Sequence, residues 1–177
     1  KKPERRLMSS ARLGWRGEGY GPMAESGADP ATEDDILTRG HCLCKAVRYE
    51  FRGKPRWVMH CHCASCRRAV GSAVATYVGV LAARARYTGD TPMSHESSPG
   101  AFRHFCAKCG TPVAYTGARW PDEIHFYHGT LEDPSAWPPT GHAHVVEQVA
   151  WFDVHDALPR YDGLAGKGAR PVRIGPK

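Results

Sequence analysis

The chain has 177 residues, 41% of them hydrophobic, a formal charge of +6 and seven cysteines. That length suits one domain with a real core rather than two, and no stretch approaches the roughly 20 apolar residues needed to cross a bilayer. The positive charge lies at the ends: residues 1–22 and 164–177 carry +4 each and leave −2 for the middle, so no basic face is expected on the fold and nucleic acid is set aside as a partner.

In chain order, residues 1–37 read as a disordered or non-native leader. Its first 22 residues are rich in Arg and Gly without an apolar period, and Met23 looks like a natural start. A transit peptide is the rival reading, against which Glu4, Glu18 and the glycines count. The folded domain is expected over 38–163, with a basic tail over 164–177. Alternation of Val47, Tyr49 and Phe51 with Arg48, Glu50 and Arg52 predicts a half-buried strand. Gly53-Lys54-Pro55 is a turn, and Trp57-Val58-Met59 leads into Cys61-His62-Cys63-Ala64-Ser65-Cys66, with at most a short helical turn near Ser65 to Val70.

Ala73 to Val80 is apolar and β-rich, which predicts a central strand, and Arg84 to Tyr87 a short one. Ala101 to Phe105, Cys106-Ala107-Lys108-Cys109 and Pro112 to Tyr115 read as strand, metal knuckle and strand. Ile124 to His128 alternates again, Asp133 to Gly141 is a proline-rich loop, and Glu147 to Val154 is expected as a late strand. The fold class is mainly β, built of short antiparallel strands.

The odd number of cysteines and the lack of an apolar run of signal-peptide length in the first forty residues fit a soluble, reducing, cytoplasmic setting in which thiols stay free for metal. The thiols divide into four and three. Cys42 and Cys44 with Cys106 and Cys109 make a closed four-thiolate structural zinc site that joins distant segments, while Cys61, Cys63 and Cys66 suffice for a second zinc with one position open. Two zinc ions per chain are therefore expected. A histidine such as His60, His62, His104 or His128 could instead close the inner site, making both metals structural; His62 fits poorly, because between two ligands of an extended segment its side chain points the other way.

Three thiolates give zinc a net charge of −1, which disfavours water activation and suits an incoming thiol held as its thiolate. Arg67, and Arg68 beside it, are candidates to receive an anionic substrate, or else are solvated or paired structurally. His62, His104, Asp153 and water are open as general bases.

Gly40-His41-Cys42-Leu43-Cys44, Val47-Arg48-Tyr49, Cys61 to Arg68 with Gly71-Ser72, and Phe105 to Pro112 resemble the glutathione-dependent formaldehyde-activating enzyme (GFA) family, which includes centromere protein V. Gly129 to Pro134, Trp151-Phe152 and Asp156 to Pro159 resemble its closing motifs, so the likeness spans about residues 38–163. The resemblance implies a β-tent (Mss4-like) zinc-binding fold, with Cys42, Cys44, Cys106 and Cys109 on a structural zinc and Cys61, Cys63 and Cys66 on a catalytic one. It implies addition of glutathione to formaldehyde, a carbon-sulfur lyase reaction run in reverse, with a small thiol and a small aldehyde as partners. Lys45 departs from the glycine common after the second cysteine, and His41 from a common Gly-Gly. A non-catalytic zinc module like centromere protein V, or a related enzyme acting on another small substrate at the same zinc, are the alternatives.

Overall fold

The computed structural model describes residues 36–166 and 168–172. The expected leader up to residue 35, and the tail beyond 172, lie outside them. Among the described residues ten strands and one α-helix follow in order: β1 (Leu37–His41), β2 (Arg48–Arg52), β3 (Trp57–Cys61), α1 (Ala64–Val70), β4 (Ala75–Leu81), β5 (Ala85–Tyr87), β6 (Met93–Ser98), β7 (Ala101–Phe105), β8 (Pro112–Gly117), β9 (Trp120–Tyr127) and β10 (His142–Ala143). They form a three-stranded sheet, β1-β2-β5, and a seven-stranded sheet, β10-β3-β4-β9-β8-β7-β6. All pairs are antiparallel except β10 with β3. The fold is mainly β, with an Mss4-like arrangement of zinc knuckles. No helix among the described residues is long and apolar enough to cross a membrane.

Side chains alternate between the two faces of a strand, and here the two faces have different work. Val58, Val78, Val80, Ile124, Phe126 and Ala114 of the large sheet face Val47, Tyr49 and Phe51 on or beside β2 and form the main core. Tyr49 stacks on Phe126 with ring centroids 3.9 Å apart and planes 1° from parallel. Each such side chain contributes about 2 kcal/mol by leaving water. The buried Tyr49 hydroxyl is satisfied by Thr130 Oγ1 at 2.6 Å, whose own proton goes to the Tyr127 carbonyl at 2.7 Å. On β2's outer side, Glu50 is held by Arg86 at 2.6 Å and Arg39 at 3.7 Å.

The opposite face of the large sheet carries Trp57, Cys61, Ala75, Tyr77, Tyr115 and Tyr127, against which Cys66 and Val70 of α1 pack. That face holds the site.

One expected element is corrected. Glu147 to Val154 is not a strand: Val145–Glu147 is a 3-10 turn, and the segment after it folds on itself, with Phe152 N donating to the Val149 carbonyl and Gln148 Nε2 to that of Phe152 at 2.6 Å. Trp151 is left exposed. The segment's anchor is Glu147, whose Oε2 accepts from Ala64 N at the start of α1 at 2.8 Å.

Candidate metal centre and the cavity beside it

All seven cysteines are free. The Sγ atoms of Cys42, Cys44, Cys106 and Cys109 lie within 4.8 Å of one another, with 3.6 Å from Cys42 to Cys44 and 3.7 Å from Cys44 to Cys106. Four sulfurs placed tetrahedrally at 2.3 Å from a zinc ion would be about 3.8 Å apart, so this cluster fits that ion without rearrangement. Two turns present the thiols, one closing three residues on and one four residues on. Lys45 N donates to the Cys42 carbonyl, and Gly110 N to that of Cys106. Val47 N points at Cys42 Sγ at 3.3 Å. Thr111 Oγ1 accepts from Leu43 N, so its proton is free for Cys109 Sγ at 3.1 Å, and this bond leads the effects that bring the Cys109 thiol down to about 5.

The Sγ atoms of Cys61, Cys63 and Cys66 form a second group within 4.8 Å. Cys61 ends β3, Cys63 caps α1 by accepting from Cys66 N at 3.2 Å, and Cys66 lies in the first turn. The Cys61 and Cys63 thiols, followed by Tyr77 and Arg103, stabilise Cys66 as a thiolate against the cost of burial, while hydrogen bonding with Cys63 and Cys66 pushes Cys61 the opposite way. Three clustered thiols are a donor set suited to a soft divalent ion.

None of the histidines considered for closing the inner site joins it. His60 Nδ1 meets Thr76 Oγ1 at 2.8 Å, His104 Nε2 meets Thr116 Oγ1 at 2.9 Å, and His128 Nε2 meets the Trp137 carbonyl at 2.9 Å. His62, fully buried, turns away to His142 Nδ1 at 2.9 Å, and His142 Nε2 continues to Asp156 at 2.9 Å. These bonds tie Asp156 and His62 to β10. His60, His142 and Asp156 form a third group of possible ligand atoms within 4.8 Å.

Beside the three thiols opens a cavity of about 510 Å³. Its wall includes Trp57 and Met59 of β3, Tyr77 of β4, Arg103 of β7, Tyr115 of β8, and Trp120 and His125 of β9; residues 164–166, assigned by sequence to the tail, also line it. Among the described residues no carboxylate lines it. Arg103 Nη1 donates to the hydroxyls of Tyr127 at 3.1 Å and Tyr77 at 3.4 Å, and among the described residues no carboxylate pairs with it.

Arg67 is elsewhere. Its Nε donates to the His62 carbonyl at 2.9 Å and its Nη2 to that of Glu147 at 3.2 Å, so it braces α1 and does not line the cavity. Arg68 is exposed. Asp153 is also outside the cavity, near Arg160 at 3.9 Å. Sequence reasoning missed Arg103, Tyr77 and Tyr115: strand parity could mark their face, but only the cross-strand register shows that this face is the one beside the thiols.

The description of the glutathione-dependent formaldehyde-activating enzyme family matches residues 37–147. The chain belongs to that family. A Halomonas elongata protein that carries the family's name is 27% identical over 119 residues, covering 59% of this chain and 71% of that protein. A Rhodobacter sphaeroides protein of known crystal structure is 22% identical, with a TM-score of 0.46, over 55% of this chain and 93% of that one.

Proposed function

We propose that the protein is a zinc-dependent carbon-sulfur lyase that binds a small thiol such as glutathione beside Cys61, Cys63 and Cys66 and joins it to, or releases it from, a small aldehyde. In this reading Cys42, Cys44, Cys106 and Cys109 hold a structural zinc and the three inner cysteines a catalytic one, two ions per chain, in a reducing compartment such as the cytoplasm. The observation that carries it is the opening of a cavity without carboxylates directly beside a three-thiol group that no histidine completes among the described residues.

A zinc ion on the three thiols would supply a positive centre that keeps an incoming thiol in its nucleophilic, deprotonated form. The chain's own groups do the rest. Arg103 offers charge-assisted hydrogen bonds to a ligand carboxylate, the role expected from sequence for Arg67. Tyr77, whose hydroxyl lies beside Cys66 and donates to Tyr127 at 3.4 Å, can turn that proton to the aldehyde oxygen as negative charge develops there. The aromatic wall keeps water from competing for the aldehyde carbon. In the forward direction the sulfur-carbon bond forms and the thiol proton ends on the former carbonyl oxygen; release is the reverse.

The test is titration calorimetry of glutathione into zinc-loaded protein, with zinc counted in parallel, for the parent and Cys63→Ser. Glutathione binding should vanish in the variant together with one of two zinc ions. Unchanged zinc content, or no thiol binding by the parent, would sink the reading. Exchange of formaldehyde with its glutathione adduct, followed by NMR, reports the catalytic step.

A further inference from the structure

A single-carbon aldehyde has no surface to set against an aromatic wall, and one wall of this cavity is largely aromatic. Cross-strand partners on the site face of the large sheet run Trp57, Gly79, His125, Tyr115, Arg103. At Gly79 a side chain is excluded: a Cβ would fall 2.1 Å from Trp57 Cε2, so the indole lies across the glycine and forms the floor. The Trp57 ring meets His125 at 4.5 Å between centroids, His125 meets Trp120 at 5.3 Å and Tyr115 at 5.4 Å, and Tyr115 meets Tyr77 at 6.5 Å. The strip therefore runs without a break from Tyr77, which packs beside Cys66, to Trp57 and Trp120.

Two of its polar edges are already occupied. Trp57 Nε1 and His125 Nε2 both donate to Glu123 Oε2 at 3.0 Å, and Arg56 lies 3.4 Å from Glu123 Oε1. With their N–H groups anchored on one carboxylate, Trp57 and His125 offer the cavity their apolar surfaces. Such a wall gains most from a flat or bulky apolar group.

We infer that the strip Trp57–His125–Trp120–Tyr115 is a subsite for an aryl or large apolar substituent carried on the ligand's sulfur, so that the carbonyl compound handled here is an aromatic or bulky aldehyde rather than a one-carbon one. This rests on the thiol-binding reading above and adds the class of its second substrate. The reaction is unchanged in balance: a 1-hydroxyalkyl thioether loses its carbon-sulfur bond, its hydroxyl proton goes to the departing sulfur, and the aldehyde and free thiol result.

The experiment compares S-benzylglutathione, S-methylglutathione and glutathione by titration calorimetry on the zinc-loaded full chain. The benzyl compound should bind roughly tenfold or more tighter than the methyl one, from burial of the added ring. Trp120→Ala, which removes one wall, and Gly79→Ala, which displaces the Trp57 indole, should each erase that difference, with melting temperature and zinc content confirming that both variants fold. Equal affinity for the two thioethers, or a benzyl preference retained in both folded variants, overturns the inference while glutathione binding leaves the thiol reading standing. If none of the three compounds binds, both fall.

Discussion

Lys45 and Gly110 hold the same place in the two knuckles of the four-cysteine cluster: each follows the second cysteine of its pair, and each has a left-handed backbone, with φ of 61° and 73°. A side chain costs roughly 1 kcal/mol in that conformation. Lys45→Gly should therefore stabilise the protein by about 1 kcal/mol or less, since the added freedom of the unfolded chain offsets part of the gain. Gly110→Ala should destabilise it by about 1 kcal/mol through backbone strain alone, because a Cβ there meets nothing within 4 Å. Chemical denaturation of zinc-loaded samples measures both; a stability loss in Lys45→Gly would show that the lysine side chain outweighs its strain.

The two cysteine groups should respond differently to loss of a ligand. The outer group joins the β1–β2 turn to the β7–β8 turn, and a structural zinc contributes on the order of 10 kcal/mol to folding, comparable to the whole stability of a domain. Cys106→Ser, or a strong chelator, should thus abolish the cooperative unfolding transition. Cys63→Ser should keep it, because serine can still accept from Cys66 N and cap the helix. Circular dichroism melts with metal analysis separate the cases.

Arg103 and Arg67 give opposite expectations. Charge-assisted hydrogen bonds are worth about 1.5–3 kcal/mol, so Arg103→Met should weaken glutathione binding by roughly ten- to a hundredfold. Arg67→Met removes bonds to two backbone carbonyls and should cost about 1 kcal/mol of stability with little change in affinity. The reverse pattern in calorimetry and denaturation would return the anion to Arg67.

His125 sets burial against a neighbouring carboxylate. Burial favours the neutral ring and Glu123 favours the charged one; burial is the larger effect and holds the folded value below the ordinary one. As pH falls below about 6.5, the unfolded chain takes up this proton before the folded one does. This group's contribution to stability is therefore present above that pH and shrinks as pH falls toward the folded value. The His125 ring resonances in NMR should titrate with a midpoint below about 6.5; a midpoint above it would mean that Glu123 prevails.

Alternation made β2 and β9 legible in the sequence, apolar β-rich content β4, the flanks of the Cys106–Cys109 knuckle β7 and β8, and the run before Gly89 the short β5, while cysteine spacing suggested the groups that the fold brings within 4.8 Å. Four strands were not legible: β3 reads only as a lead into the cysteines, and the other three each have a physical reason. Every residue of β6 is exposed, so its sequence Met-Ser-His-Glu-Ser-Ser shows no buried face. β1 buries only Thr38 and Gly40, and β10 is two residues long. The late strand expected near Trp151-Phe152 failed because aromatic content marks burial, and Trp151 lies at the surface. The cavity was illegible for a different reason: Arg103, Tyr115, His125 and Trp57 become neighbours only through four successive strand registers.

The division of the seven-stranded sheet into a core face and a site face has a practical consequence for altering this protein. Within β3, β4 and β9, positions that set the shape of the cavity alternate with positions that hold the fold, as Trp57 and Met59 flank Val58 and as Tyr77 precedes Val78. A combinatorial library at 57, 59, 115 and 120 would vary ligand preference while leaving Val58, Val78 and Phe126 in their places. The chain has, in effect, two nearly independent sets of letters written into the same strands, one for standing up and one for choosing what to hold.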